Sequence, residues 1–406
     1  MSIYRALLPA VLLCLSAQLW AGQKVDLDYR VKFLPDSDQA EVSLSLEKGE
    51  RVLSLGFNLG DENLYTDFTG DGEWTQESPQ RGVWQPAKGK AKLTYRVRIN
   101  HERSAGRYDA RMTEDWALLR GDDLVPAVQL RQKNDTELVA RLKFDLPKGW
   151  KSVETGWPRI GTHEFRIDNP QRKFDRPTGW IIAGKIGTRR AKLGDSDVTI
   201  AAPVGEGMRR MDILTLLTFV WPEAQAVFPR DPGKLLIVGA GDPMWRGGLS
   251  ATNSYYMHSD RPLVSENGTS SLVHELVHVF SRIQSRDRSD WITEGLAEYY
   301  AIELVRRAGG LSEDRYQKVR EHLVEWSKPV KSLRTAHASG PVTAQAVLLL
   351  QELDRELRQK TKGSTQPRSL DDVTRGLMRL EKASTQDFIE ISENVMGGPS
   401  KVLDSK

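Results

Sequence analysis

The chain has 406 residues, 39% hydrophobic and 28% charged, with a formal net charge of +3. That is the mix of a globular protein with a sizeable core, and it lacks the basic excess that a nucleic-acid partner or an anionic membrane surface would call for. The length predicts two or three domains, and a single cysteine, Cys14, excludes a disulfide framework.

In chain order, the first segment is an apolar run from Leu7 to Leu15, with Arg5 before it and small residues at Ala17 and Ala21. A basic start, a short apolar stretch and small-residue exits predict a secretory signal peptide over 1–21. The run is too short to span a bilayer comfortably, so no membrane span is expected after its removal. The mature chain is then free of thiols and is expected in the periplasm or outside the cell, after a bacterial-type leader.

Residues 22–200 read as β. Apolar and polar residues alternate in Val25–Phe33, Glu41–Leu46, Leu93–Ile99 and Leu138–Phe144, and Gly, Pro and Asp break the runs. This pattern predicts a β-sandwich with one solvated face. Arg172, Lys173, Arg189, Arg190 and Lys192 form a mild basic concentration. No aromatic stacking pattern accompanies it, so these are read as solvated positions. A Pro/Gly stretch at Ala201–Gly207 marks a boundary. The resulting organisation is α+β and multidomain, with a second domain over 201–335 and a helical region over 336–406.

Met208–Phe228 predicts a helix interrupted at Pro222, and Lys234–Gly239 a buried strand. Gly247–Met257 alternates loosely and ends in another strand-like piece. Gly247, Gly248, Leu249 and Ser250 are expected to form an edge that pairs with an extended peptide, the two glycines admitting its backbone closely.

The most informative stretch comes next: His274-Glu275-Leu276-Val277-His278. With 7 histidines in the chain, H-E-x-x-H would arise by chance in roughly one chain per hundred of this composition, while on a helix it is a zinc signature. Leu272, Val273, Leu276, Val277, Phe280 and Ile283 have helical spacing, and Thr269, Ser270 or Ser271 can cap the start. Residues i and i+4 share a helix face, so both imidazoles can reach one metal ion, and Glu275 would flank its water as general base.

A polar turn over Ser285–Asp290 leads to a second helix, Trp291–Ala308, which stops at Gly309-Gly310. Returning beside the first, it offers Glu294 as third ligand of a catalytic Zn2+. Glu298, one turn on, can hold the other N–H of a ligand histidine. A structural zinc site in a non-catalytic binding module for exported proteins is the rival reading, but a closed site needs a fourth ligand, and the pair of helices has no nearby Cys or third His. Further helices are predicted at Tyr316–Trp326 and Val342–Lys360. Ser369 and Ser384, each with an acid three residues on, open two more.

These motifs, with Trp291-Ile292-Thr293-Glu294-Gly295-Leu296-Ala297-Glu298-Tyr299-Tyr300 and the later Leu348–Asp354 and Ser369–Val373, resemble the gluzincin metallopeptidases, most of all the glycyl-aminopeptidase family. The resemblance covers about Lys234 to Leu380. It implies an N-terminal β domain, a thermolysin-like catalytic domain, zinc, and a peptide or protein substrate. Oligomeric state is left open. Where aminopeptidase N-type relatives carry Gly-x-Met-Glu-Asn, this chain has Gly247-Gly248-Leu249-Ser250-Ala251. Where they carry an oxyanion-binding tyrosine, it has His337-Ala338-Ser339-Gly340. The resemblance therefore implies His337 as the group steadying the oxyanion, with Tyr299 and Tyr316 as alternatives.

Overall fold

The computed structural model describes residues 23–60, 63–169 and 174–404. The expected leader over 1–21 and the basic residues Arg172 and Lys173 lie outside the described residues.

Gln23–Leu34 is central to the first sheet because its alternate residues Val25, Leu27, Tyr29, Val31 and Phe33 are all buried. It pairs in parallel with Thr136–Asp145 and antiparallel with Gln39–Leu46, inside a seven-stranded sheet. A four-stranded sheet containing Val52–Asn58 and a five-stranded sheet containing Trp116–Arg120 and Trp180–Gly184 share its core. This is a three-sheet body and not the two-sheet sandwich that the alternation predicts. The reason lies in the strands Trp116–Arg120 and Trp180–Gly184 of the five-stranded sheet, which are buried on both faces. Ala117, Leu119, Ile181 and Ala183 face the first core, while Leu118, Trp180 and Ile182 face a second one shared with Leu236, Val238 and Tyr256. The Trp180 and Tyr256 rings meet there at 5.2 Å. Truncating a buried tryptophan of this kind typically costs about 3–5 kcal/mol, so this contact fastens the β body to the sheet that carries Tyr256.

That sheet runs in the order Ile186–Leu193, Ser196–Pro203, Lys234–Val238, Ser254–Met257, Gly248–Ala251. The expected boundary at residue 200 falls inside its first hairpin, because Ile186–Leu193 and Ser196–Pro203 pair with each other and the latter pairs with Lys234–Val238. Two-residue alternation cannot tell which sheet a strand joins.

The helices are α1 (Gly121–Leu124), α2 (Arg210–Val227), α3 (Ser271–Ser281), α4 (Asp290–Arg307), α5 (Glu313–Ser327), α6 (Pro341–Thr361), α7 (Leu370–Leu377) and α8 (Thr385–Met396). Among the described residues none is long and apolar enough to cross a membrane. α2 runs through Pro222 without the expected interruption. Pro222 and Thr218, whose carbonyl loses its partner, both face solvent, while Ile213, Leu217, Trp221 and Ala224 anchor both halves to the core. Ser369 and Ser384 form the two capping boxes, with Asp372 and Asp387. The helices beyond residue 335 share one continuous core with α3 and α4, where Leu353 and Phe388 belong to the same cluster as Leu276 and Leu296. The boundary drawn at 335 is thus not a break in packing.

Candidate active site

Helix α3 begins where Ser270 accepts a hydrogen bond from the Val273 N–H and ends at Arg282 in the left-handed region. Its Leu272, Val273, Leu276 and Val277 are buried, which leaves His274 and His278 on the flank turned to α4. α4 brings Glu294 to them. His274 Nε2 and His278 Nε2 are 3.2 Å apart, His274 Nε2 lies 3.3 Å from Glu294 Oε2, and His278 Nε2 lies 3.5 Å from Glu294 Oε1. Among the described residues this is the grouping of His, Cys, Asp and Glu able to hold a metal ion.

Glu298 Oε2 accepts a hydrogen bond from His274 Nδ1 at 2.9 Å. The proton on Nδ1 leaves Nε2 as a lone pair. Two imidazole nitrogens and the Glu294 carboxylate then converge, which is unfavourable unless a cation or an added proton answers them. Burial pushes the His274 imidazole down, but the Glu294 and Glu298 carboxylates outweigh it and lift the group to about 10. Burial, helped by the His274 charge, lowers His278 to about 4. Burial works to raise Glu294, but both histidines outweigh it and hold the carboxyl below its usual range. One ligand atom from each of the three residues lies within 4.8 Å of the other two, and imidazole nitrogen and carboxylate oxygen are donor types that zinc takes. The residues present fit that ion.

Glu275 is 8% exposed. Burial raises its carboxyl, against the His274 charge and the hydrogen bonds from the Ser250 hydroxyl and N–H. Gly248 makes this placement possible, because a Cβ there would lie 2.9 Å from Glu275 Oε1. A Cβ at Gly247 would meet the Trp245 ring at 2.0 Å. The glycines expected to admit a substrate backbone thus make room for the protein's own side chains. Leu249 is engaged as well: its carbonyl accepts from the Trp180 indole at 2.8 Å. Of the four residues expected to bind substrate, Leu249 and Ser250 therefore have partners within the chain. Ser250 also lines a cleft of about 980 Å³ that reaches His278, and Trp157 and Arg159 of the β body form its opposite wall.

No protein-family model matches the chain, and no curated protein matches it. Solved structures do. An aminopeptidase N family protein from Idiomarina loihiensis aligns with a TM-score of 0.64 at 15% identity, over 87% of this chain and 70% of that one. A mutant M1 zinc metallopeptidase from Deinococcus radiodurans aligns at 0.59 and 14% identity, over 95% and 92% of the two chains. The Deinococcus enzyme bound to a Tyr-Ser-Ala substrate aligns at 0.57 and 14%, with the same coverage. This chain has a multidomain α+β fold of the M1-peptidase kind.

Within that fold, the expected oxyanion residue is not drawn into the network. His337 is exposed, in the loop before α6. Among the described residues its imidazole makes no hydrogen bond, although the adjacent Ala338 N–H donates to Asp290 Oδ2 at the start of α4. Tyr299 and Tyr316 line a separate cavity with Arg306 and Arg307. Five residues along a helix is a rotation of about 140°, which turns Tyr299 away from the face that carries Glu294. Sequence reasoning missed Trp157, Arg159 and Arg282 as lining of the cleft, since each depends on long-range packing without a local signal.

Proposed function

We propose that this chain is an exported zinc metallopeptidase of the gluzincin kind that hydrolyses peptide bonds. Its thermolysin-like catalytic unit follows the β body, and the leader over 1–21 directs it to the periplasm or the exterior. His274, His278 and Glu294 would hold the ion, Glu298 would orient His274, and Glu275 would be the general base. The observation that carries this reading is the convergence of His274 Nε2, His278 Nε2 and the Glu294 carboxylate, all within 4.8 Å of one another, beside the buried Glu275.

When bound, zinc supplies Lewis acidity and makes water acidic enough to ionise near neutral pH. The chain's residues do the rest. Glu275, raised by burial, takes a proton from the attacking water and hands it to the leaving amine. Ser250 fixes the Glu275 carboxylate, and Glu298 fixes the tautomer of His274. The cleft at His278 leaves room for a peptide of the size that the Deinococcus relative binds. The rival reading, a closed structural site in a binding module, needs a fourth protein ligand, and among the described residues three converge.

The test is metal analysis of the purified mature chain together with mass-spectrometric cleavage of a peptide library, with and without chelator. About one equivalent of zinc per chain is expected, with cleavage that chelation stops and zinc restores. A zinc-free active protein, or cleavage indifferent to chelator, would sink the proposal.

A further inference from the structure

One wall of the cleft carries a cation with no counter-charge. Arg282 follows His278 by one helical turn and ends α3 with φ at 51°. Its Nη2 donates to Asn253 Oδ1 at 3.0 Å, and Asn253 is itself left-handed, at φ 50°, in the turn of the edge hairpin. That one bond aims the guanidinium and leaves most of its N–H donors over. Among the described residues no carboxylate lies within ion-pair distance of Arg282 or of Arg230, whose charge acts on it. Arg282 is an exposed side chain, and such burial as it has and the Arg230 charge both oppose its own.

Of the other cations of the cleft, Arg159 bonds the buried Glu154 at 3.1 Å, while Lys234, which burial lowers, has no ion pair among the described residues but lies in the fields of Glu154 and Asp197. The acids of the cleft are also engaged, since the exposed Asp168 and Asp197 lie 3.8 and 3.7 Å from Arg166 and Lys192. Among the described residues, the Ser250–Asn253 end therefore presents a cation without an ion pair.

We propose that Arg282, backed by Arg230, receives a carboxylate of the substrate, so that favoured substrates are peptides with an anionic group near the scissile bond. A guanidinium can meet a carboxylate through two parallel N–H···O bonds, a match that a lysine cannot reproduce. The carboxylate is either a free C-terminus or an Asp or Glu side chain. This inference rests on the peptidase reading above.

The experiment uses the zinc-loaded chain and two pools of short peptides, identical except that one ends in a free acid and the other in a carboxamide. Within the amidated pool, Asp and Glu members are compared with their Asn and Gln counterparts. The readout is the ratio of kcat/KM between charged and neutral partners. Wild type should favour the charged partner in one arm by about 10- to 100-fold, the value of a hydrogen bond to a charged group. Arg282→Gly should bring the ratio close to one. Glycine suits the left-handed backbone, so this variant should keep its fold. Arg282→Lys should recover only part of the ratio, and Arg315→Gln, an exposed substitution on α5, should not move it.

A wild-type ratio near one in both arms overturns the proposal, and so does a ratio that survives Arg282→Gly. Failure of the peptidase reading looks different, because neither pool is then cleaved at all. Retention of both pools on immobilised zinc-loaded Glu275→Gln, with and without Arg282→Gly, scores the preference without turnover. Equal retention of charged and neutral peptides overturns the proposal there too.

Discussion

Two buried carboxylate sites in this chain solve the same problem in opposite ways. Glu154 is 1% exposed, on a strand of the β body, and its Oε1 accepts from both Arg159 and Arg190. Its charge is answered within the chain. Around α3 and α4, Glu294 and Glu298 meet two histidines and the buried Glu275, and among the described residues no Arg or Lys is bonded to them. Burying a charge is unfavourable unless a partner balances it. The first site carries its cations as side chains, while the second groups side chains that could hold one. The contrast teaches how to separate a structural ion pair from a functional centre: by what completes the charge, not by how deeply it is buried.

The sharpest way to break the contrast is Glu275→Gln. This variant should retain zinc yet lose turnover by about 10²–10⁴-fold, the usual share of a general base. Steady-state kinetics alongside metal analysis would show it, and unchanged turnover would remove Glu275 from the base role.

Glu154→Gln should act in the opposite sense. Loss of charge-assisted hydrogen bonds should lower unfolding stability by about 2 kcal/mol, read by denaturant titration, while zinc affinity stays as it was. A change in zinc affinity would mean that the two sites are coupled.

A smaller effect is expected at Glu298→Gln. The His274 tautomer is then held less firmly, and zinc affinity should fall by about 10- to 100-fold, measured by chelator competition. Full affinity would reduce Glu298 to an ordinary helix charge.

Glu356 supplies a third kind of carboxylate and the mildest test. It accepts from the Ser400 hydroxyl and the Lys401 and Val402 N–H groups, tying the end of the described chain to α6. Some burial opposes ionisation, but these bonds hold its carboxyl at about 2, below the ordinary glutamate value of 4.5. A depressed carboxyl contributes stability that is present above 4.5 and lost as pH falls through about 2. Thermal midpoints should therefore drop across that window in wild type and change less in Glu356→Gln. Parallel curves would show that the tail is held by other contacts.

The local signals were legible because they sit within a few residues of one another. The i, i+4 histidines, the Ser270 cap, the stop at Gly309, where φ is 79°, and the two capping boxes all depend on one or two helical turns. Glu298 was legible for the same reason, four residues after Glu294 on one face. The candidate grouping of His274, His278 and Glu294 was thus proposed from spacing alone, and the fold brings those three side chains together.

Other features were settled only by tertiary structure. Alternation across residues 22–200 predicted β structure but could not show that the strand Trp180–Gly184 is covered on both faces, or that its indole would take the Leu249 carbonyl 69 residues away. Pro222 signalled a break that solvent exposure and a packed face made unnecessary. His337 stood where a resemblance placed an oxyanion group, yet the loop before α6 leaves it in solvent. Periodicity, capping and motif spacing are properties of neighbouring residues. Which wall faces a site, which polar group is already taken and where a strand joins depend on contacts between distant segments, and those exist only once the chain has closed on itself.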